Sequence, residues 1–170
     1  MFLDELKTIP KENIVYIDES GISHQMINEY CWTQKGSEVI GEREGGKRGR
    51  TSVIASLNGE NINAPMVYSG TMNGPLFLCW LKKVLVASLK KGQVVVMDNA
   101  AIHKVKQVRE IIEGAGCSLL YLPPYSPDFN PIENYWAVMK SHIRKIRDQF
   151  KDINDAIIET LKNTKCHFNS

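Results

Sequence analysis

The segment that most restricts the fold is residues 93–97, where three valines and a methionine follow one glutamine. A uniformly apolar strand is typical of a parallel sheet whose two faces are both covered by helices. Leucines recur with a helical period over residues 76–89, just before this strand. A helix over residues 104–113 and a strand over residues 118–122 are predicted after it. This alternation of strands and helices predicts an α/β fold with crossover helices.

The N-terminal part of the chain has a different pattern, with several short strands in succession. Residues 14–17, 30–33 and 51–57 are dominated by β-branched, aromatic and other apolar residues, and segments that favour turns separate them. Residues 64–68 could add a short edge strand, since Pro65 cannot donate a hydrogen bond to a central neighbour. We therefore predict a mixed five-stranded sheet, an antiparallel meander plus parallel strands, flanked by helices.

Length and composition fit one globular domain. The chain has 170 residues, of which 43% are hydrophobic and 24% charged, and these values are typical of globular proteins. We expect a linker remnant or short helix over residues 1–13, the domain over residues 14–165 and a tail over residues 166–170. Two C-terminal helices are predicted, over residues 131–147 and 153–161. Every apolar stretch is shorter than the roughly 20 residues that a membrane-spanning helix needs, so we expect no membrane contact.

Three acidic residues stand at positions where one active site could collect them. Asp18 and Asp98 follow apolar runs that are expected to be strands, and Glu133 opens a predicted helix. If the strands that carry Asp18 and Asp98 are neighbours, their carboxylates are adjacent. Hard divalent cations take oxygen ligands, and a pair of them can be held by a few carboxylates. The pattern therefore predicts a metal-dependent site for phosphoryl transfer.

Each of these acids also has a local structural explanation. Asp18 could end its strand in a polar turn, and Asp98 could cap the following helix. Glu133 stands three residues after Asn130, which is the spacing of a capping box. Strand alternation directs Glu19 to the opposite face of the sheet from Asp18, so we do not expect Glu19 to be a ligand. These roles remain open beside the catalytic one.

Basic residues are clustered in two segments, although the net charge is only +2. Lys47, Arg48 and Arg50 lie in a glycine-rich loop that could contact phosphates. Lys140 and Arg144 are one helical turn apart on the last long predicted helix, so they share a face. We interpret both clusters as contacts to the DNA backbone. The alternative for the helix is an ordinary solvated face.

Longer stretches around these residues resemble one known family. The stretches IVYIDESG, VVVMDNAAIHK and LLYLPPYSPDFNPIENYW are similar to the catalytic domain of mariner-like transposases and their bacterial insertion-sequence relatives. Those proteins belong to the DDE superfamily, which has a ribonuclease H-like fold. The resemblance covers most of the chain. It implies that Asp18, Asp98 and Glu133 are the catalytic carboxylates, with Asn130 and His103 as signature positions near them.

The resemblance also implies an activity, a cofactor and partners. Family members cleave DNA at the ends of a mobile element and transfer the cut strand, with two Mg²⁺ ions for which Mn²⁺ can substitute. We expect a homodimer on DNA in the active complex, and a separately encoded helix-turn-helix region, because this chain begins almost at its first strand. Four scattered cysteines without a CxxC pair favour buried, reduced thiols. We therefore expect a cytoplasmic, nucleoid-associated protein in a bacterial host.

Two other functions remain compatible with the same residues. A truncated, non-catalytic product could bind DNA or dimerise with a full-length transposase and regulate it. A stand-alone ribonuclease H-like nuclease that acts on other nucleic acids would share the metal site. The intact acidic triple favours an enzyme over the regulator, and a comparison of substrates would separate the two nucleases.

Overall fold

A computed structural model describes residues 2–24, 49–124 and 126–163. The helices and strands of these residues are α1 (Phe2–Lys7), β1 (Ile14–Ser23), β2 (Arg50–Asn58), β3 (Asn61–Ser69), α2 (Gly74–Trp80), α3 (Val86–Ser88), β4 (Val94–Met97), α4 (Lys106–Gly114), β5 (Ser118–Tyr121), α5 (Ile132–Ile146) and α6 (Ile153–Asn163). Within this part of the chain, no helix has the length and apolar character needed to cross a bilayer.

The strands form one mixed sheet in the order β3-β2-β1-β4-β5. β1, β2 and β3 pair antiparallel, whereas β4 pairs parallel with both β1 and β5. The predicted mixed five-stranded sheet is therefore confirmed, with one change in its members. The strand predicted over residues 30–33 lies outside the described residues, and β3 completes the meander instead.

β3 is longer than the edge strand predicted over residues 64–68, and its proline is accommodated at a local irregularity. The β2–β3 register shifts between Ile54 and Ser56, and Ala64 has a positive φ of 52°. The indole Nε1 of Trp80 donates a hydrogen bond to the Ala64 carbonyl at 2.9 Å. Pro65 thus lies beside a bulge on an edge strand, where its missing N–H leaves no central partner unsatisfied.

The helix predicted over residues 76–89 begins two residues earlier. Asn73 caps α2 by accepting a hydrogen bond from Leu76 N at 2.9 Å, and a proline occupies the first turn. Such caps satisfy one of the free N–H groups at a helix start. A π-helical turn, Leu81–Leu85, joins α2 to α3. Cys79 in this segment is exposed and not buried as predicted, whereas Cys117 is buried.

Helices cover both faces of the sheet. The odd-numbered residues at the start of β1, Val15 and Ile17, pack with side chains of α2 and α4, including Phe77 and Val108. Side chains of α5 and α6 cover the opposite face over β2, and α1 packs near β4 and β5 on that side. The two residues that follow Ile17 in β1 therefore face different helical layers.

Candidate active site

The parallel pairing of β1 with β4 aligns two of the predicted carboxylates. Tyr16 pairs with Val96 at the end of the shared ladder, so two further residues along each chain reach Asp18 and Asp98. The prediction that β1 ends at Asp18 is wrong, since β1 continues to Ser23. It continues because β2 pairs with β1 as far as Ser23. On the other side of β1, β4 has already ended at Met97. Asp18 therefore lies where one neighbouring strand has ended and the sheet opens.

All three predicted carboxylates line one cavity of about 300 Å³. The other residues of the cavity wall come from the segment after β4 and from the loop between β5 and α5. The full lining is Asp18, Asp98, Asn99, Ala100, Leu122, Pro123, Pro124, Ser126, Asn130 and Glu133. Within the described residues, no three acidic, histidine or cysteine side chains already form a coordination shell. The carboxylates thus share a cavity without closing around a common point.

Asp18 is the most strongly perturbed carboxyl group of the site. Its pKa is raised from 3.8 to about 7, first by burial and then by the nearby charges of Glu133 and Glu19. Trp136 opposes the shift, because its indole Nε1 donates a hydrogen bond to Asp18 Oδ2 at 3.0 Å. Trp136 is buried on α5, and the sequence did not indicate its contact with Asp18.

Asp98 has the opposite electrostatic environment. Its Oδ1 accepts a hydrogen bond from Ala100 N at 2.8 Å and lies 2.5 Å from Nδ1 of His103. The hydrogen bond from His103 is the main reason that the pKa of Asp98 is lowered. Asp98 therefore remains ionised at neutral pH. The predicted helix-capping role of Asp98 is wrong, because a 3-10 turn follows, Ala101–His103, whose N-cap residue is Ala100 and which has no side-chain cap.

His103 is buried between two carboxylates on the side of the site away from the cavity. Its Nε2 lies 3.2 Å from Glu19 Oε1, and its ring packs on Phe77 with a centroid distance of 4.5 Å. Burial alone would lower the pKa of His103, but the hydrogen bonds to Asp98 and Glu19 outweigh it and raise the pKa to about 9. Glu19 faces away from Asp18 as predicted, yet it belongs to this network. Only the position of His103 in the folded chain could have indicated that.

The third carboxylate is carried by the start of α5. Pro131, and not Asn130, is the residue at the N-cap of this helix. The buried Asn130 side chain accepts from Ile132 N at 3.4 Å and donates to the Ile17 carbonyl at 3.5 Å. Asn130 thus ties the helix start to β1 at Ile17, the residue that precedes Asp18. Glu133 follows one residue into the helix and is exposed.

The predicted DNA-contacting residues are only partly within the described structure. Lys47 and Arg48 lie outside it. Arg50 opens β2 at the end of the sheet nearest the cavity, and its guanidinium lies against Gly21, where an added Cβ would be 2.3 Å from Nη2. On α5, the partly buried Lys140 and the exposed Arg144 follow Glu133 by two and three helical turns, on the same side of the helix.

The donor set suits a hard divalent cation. Carboxylate oxygens are the ligands that Mg²⁺ and Mn²⁺ prefer in proteins. The Glu133 carboxylate lines the same cavity and raises the pKa of Asp18, so this cavity favours a positive charge. The chemistry of these carboxylate oxygens therefore fits hard divalent cations, and cations of that kind serve phosphoryl transfer in other proteins.

Comparison with known proteins identifies the family and the fold of this chain. A family model for DDE superfamily endonucleases matches residues 13–157. The Tcb2 transposable element transposase of Caenorhabditis briggsae is 35% identical over 68 residues, which cover 35% of this chain and 25% of that protein. The Mos1 strand transfer complex has a TM-score of 0.64 at 20% identity, and the match covers 94% of this chain and 55% of that chain.

A Mos1 mariner paired-end complex with Mn has a TM-score of 0.63 at 19% identity, with coverage of 94% and 56%. The chain therefore spans a quarter of the length of the Tcb2 protein and little more than half of the Mos1 chains. At these identities the Mos1 structures establish the fold, which confirms the predicted ribonuclease H-like architecture. Since the family model covers most of the chain, this protein belongs to the DDE superfamily of endonucleases.

Proposed function

We propose that this chain is the catalytic domain of a transposase, which cleaves DNA at the ends of a mobile element and transfers the cut strand to a new site. The observation that carries the proposal is the common cavity of Asp18, Asp98 and Glu133, in a chain that belongs to an endonuclease superfamily. The related structures include a pre-cleavage Mos1 transpososome and a Mos1 strand transfer complex. That likeness supports the same chemistry here.

Asp18, Asp98 and Glu133 would hold two Mg²⁺ ions, for which Mn²⁺ would substitute. Bound there, the cations would lower the pKa of a water or 3′-hydroxyl nucleophile and stabilise negative charge at the phosphate. A Mos1 complex was solved with Mn, which supports this choice of ion. The raised pKa of Asp18 supports it too, because a cation relieves the repulsion between neighbouring carboxylates.

The side chains around the carboxylates act mainly by holding them. Trp136 holds one oxygen of Asp18, and Ala100 N and His103 hold one oxygen of Asp98. Asn130 fixes the helix start that carries Glu133 relative to β1. Groups fixed before the substrate arrives need no reorganisation during the reaction, and such preorganisation is a large part of catalysis.

Cleavage of supercoiled plasmid DNA tests the proposed activity directly. We expect nicked and linear products with Mg²⁺ or Mn²⁺, and none when EDTA removes the cations, because the carboxylates alone cannot stabilise the leaving oxygen. Gel electrophoresis of the plasmid measures both products. An RNA–DNA hybrid of equal length serves as the competing substrate. Preferential cleavage of the hybrid would assign the site to a ribonuclease instead, and DNA binding without any cleavage would favour the non-catalytic regulator.

Binding to DNA phosphates predicts a measurable salt dependence. The double variant Lys140→Ala/Arg144→Ala should reduce the slope of log affinity against log salt by about 2, since each lost phosphate contact removes about 0.9. Fluorescence anisotropy with a labelled duplex at several salt concentrations measures that slope. Lys47, Arg48 and Arg50 form the second proposed contact, and their triple alanine variant should reduce the slope by about 3.

The matched control for the helix pair is Lys106→Ala/Arg109→Ala on α4. It removes the same charge, but both residues already pair with glutamates one turn away, at 3.2 Å and 3.0 Å, and α4 covers the other face of the sheet. We expect an unchanged slope. Equal slopes for both double variants would mean that α5 contributes net charge and no specific phosphate contacts.

The proposed partners are DNA, a second copy of the chain in the active complex, and a helix-turn-helix region that recognises the element ends. The related structures are paired-end and strand transfer complexes, which supports DNA as the partner. Sedimentation of the protein with and without a DNA end would reveal the number of chains that assemble on it.

A further inference from the structure

Glu19 and Asp18 are adjacent in β1 but belong to different layers of the molecule. Asp18 faces the cavity, whereas Glu19 does not line it among the described residues. The Glu19 side chain is only 19% exposed and ends at His103. A carboxylate this buried requires a polar partner, and His103 supplies it. The Glu19 carboxylate therefore lies on the opposite face of β1 from the cavity, in contact with His103.

His103 has both ring nitrogens engaged by carboxylate oxygens. Nδ1 lies 2.5 Å from Asp98 Oδ1 and Nε2 lies 3.2 Å from Glu19 Oε1, and the side chain is 2% exposed. Phe77 packs on the ring, and the Tyr121 hydroxyl donates to the His103 carbonyl at 2.7 Å. A ring flip would replace each nitrogen with a carbon and lose both contacts. The orientation of His103 is thus fixed by Glu19 at one end and Asp98 at the other.

Both hydrogen bonds of the Asp98 side chain are made by the same oxygen, Oδ1. Oδ1 accepts from Ala100 N and from His103, which fills its capacity to accept hydrogen bonds in the plane of the carboxylate. The side chain is nevertheless 50% exposed and lines the cavity. Oδ2 is therefore the oxygen left for the cavity, and its direction depends on the contacts that hold Oδ1.

We propose that Glu19 is a positioning residue for Asp98, acting through His103 across the sheet. The inference rests on the proposed function, because it assigns Asp98 as a metal ligand. Glu19 fixes the imidazole and the imidazole fixes Oδ1 of Asp98, so Oδ2 is left to face the cavity, where it would bind a cation. Outer partners of this kind orient metal ligands, and their removal typically weakens metal binding about 10- to 100-fold.

Titration with Mn²⁺, followed by electron paramagnetic resonance of the free ion, tests this role without requiring cleavage. Glu19→Ala removes the acceptor for Nε2, so we expect about tenfold weaker Mn²⁺ binding or more. Glu19→Gln keeps an acceptor oxygen at the same reach, so it should restore binding to within about threefold of the wild type. Glu60→Ala, in the exposed turn between β2 and β3, is the matched control and should bind as the wild type. Thermal denaturation of the metal-free variants shows which of them are folded at the titration temperature.

The variants distinguish the positioning role from its alternatives. Wild-type affinity in Glu19→Ala would overturn the inference, and equal weakening in the alanine and glutamine variants would attribute the effect to charge and not to a hydrogen bond. If Glu19→Ala does not fold, Glu19→Asp tests the same point, since a shorter side chain cannot reach His103 and should bind more weakly than Glu19→Gln. Asp98→Asn separates the two proposals: weak binding there with normal binding in Glu19→Ala rejects only the positioning role. Normal binding in Asp98→Asn rejects the metal site itself.

Discussion

Asp98→Asn is expected to reduce the rate of plasmid nicking by at least about 10³-fold. The substitution replaces a carboxylate that lines the cavity with a neutral amide, which is a poor ligand for Mg²⁺. Metal ions contribute several kcal/mol to the stabilisation of a phosphoryl-transfer transition state, and each 1.36 kcal/mol corresponds to about tenfold in rate. Single-turnover nicking at saturating Mg²⁺ and Mn²⁺ measures the effect.

The same substitution should leave the chain folded and able to bind DNA. An asparagine oxygen can still accept the hydrogen bonds from Ala100 N and His103 that Asp98 accepts now. Asp155→Asn, at an exposed position of α6, makes the same chemical change away from the cavity and should nick DNA at the wild-type rate. If Asp98→Asn retains more than about a tenth of the wild-type rate, Asp98 is not one of the catalytic carboxylates.

Asp18→Asn is expected to stabilise the metal-free protein, and more so at high pH. The pKa of Asp18 is raised to about 7 in the folded chain, first by burial and then by Glu133, and it is about 3.9 in an unfolded chain. A carboxyl group with a raised folded pKa contributes stability below pH 4, and that stability is lost as the pH rises through 7. The neutral asparagine has no such loss. Its advantage in the free energy of unfolding should therefore be about 2–3 kcal/mol larger at pH 8 than at pH 5.

Thermal denaturation in EDTA at the two pH values measures this difference. For a chain of this length it corresponds to roughly 5–10 °C in Tm. The Asn oxygen can still accept the hydrogen bond from Trp136, so the core contact is retained. Adding Mg²⁺ at pH 8 should raise the Tm of the wild type but not that of Asp18→Asn, because only the wild type binds the cation. A Tm difference that is the same at pH 5 and pH 8 would contradict the raised pKa.

These two variants also separate the roles of the two aspartates. The pKa of Asp98 is lowered, mainly by its hydrogen bond with His103, so Asp98→Asn should remove a favourable interaction at neutral pH. Asp18→Asn removes an unfavourable charge. Both should abolish cleavage, yet they should change the stability of the metal-free protein in opposite directions. A functional site that contains a destabilising carboxylate is a common case of stability given up for activity.

Much of the fold could be predicted from local patterns. The apolar run at β4 predicted a buried parallel strand, and the leucine period predicted the helical segment around Leu81–Leu85. The bounds were less predictable, since β1 extends well past its apolar start. The part beyond that start contains Asp18, Glu19 and three small residues, and it is a strand because β2 pairs along it. Pairing between distant segments is not encoded in the local pattern of either one.

The candidate site was predictable in its composition but not in its network. The carboxylates and Asn130 stand in motifs whose spacing is visible in the sequence, and the structure places these four residues around one cavity. The contacts of Trp136 with Asp18 and of Glu19 with His103 join residues 118 and 84 positions apart. Side-chain alternation predicted correctly that Glu19 faces away from Asp18, but alternation cannot indicate what lies on that other face.

The sequence by itself determined the type of strand and helix segments, their approximate order and the three acidic residues that line the cavity. Local periodicity and motif spacing carry that information because they depend on neighbouring residues only. The tertiary structure decided that β1 and β4 pair in a register that aligns two aspartates, and that a histidine from beyond β4 links Asp98 to the opposite face of β1. Those features follow from the packing of distant segments, where burial and hydrogen bonding must be satisfied together.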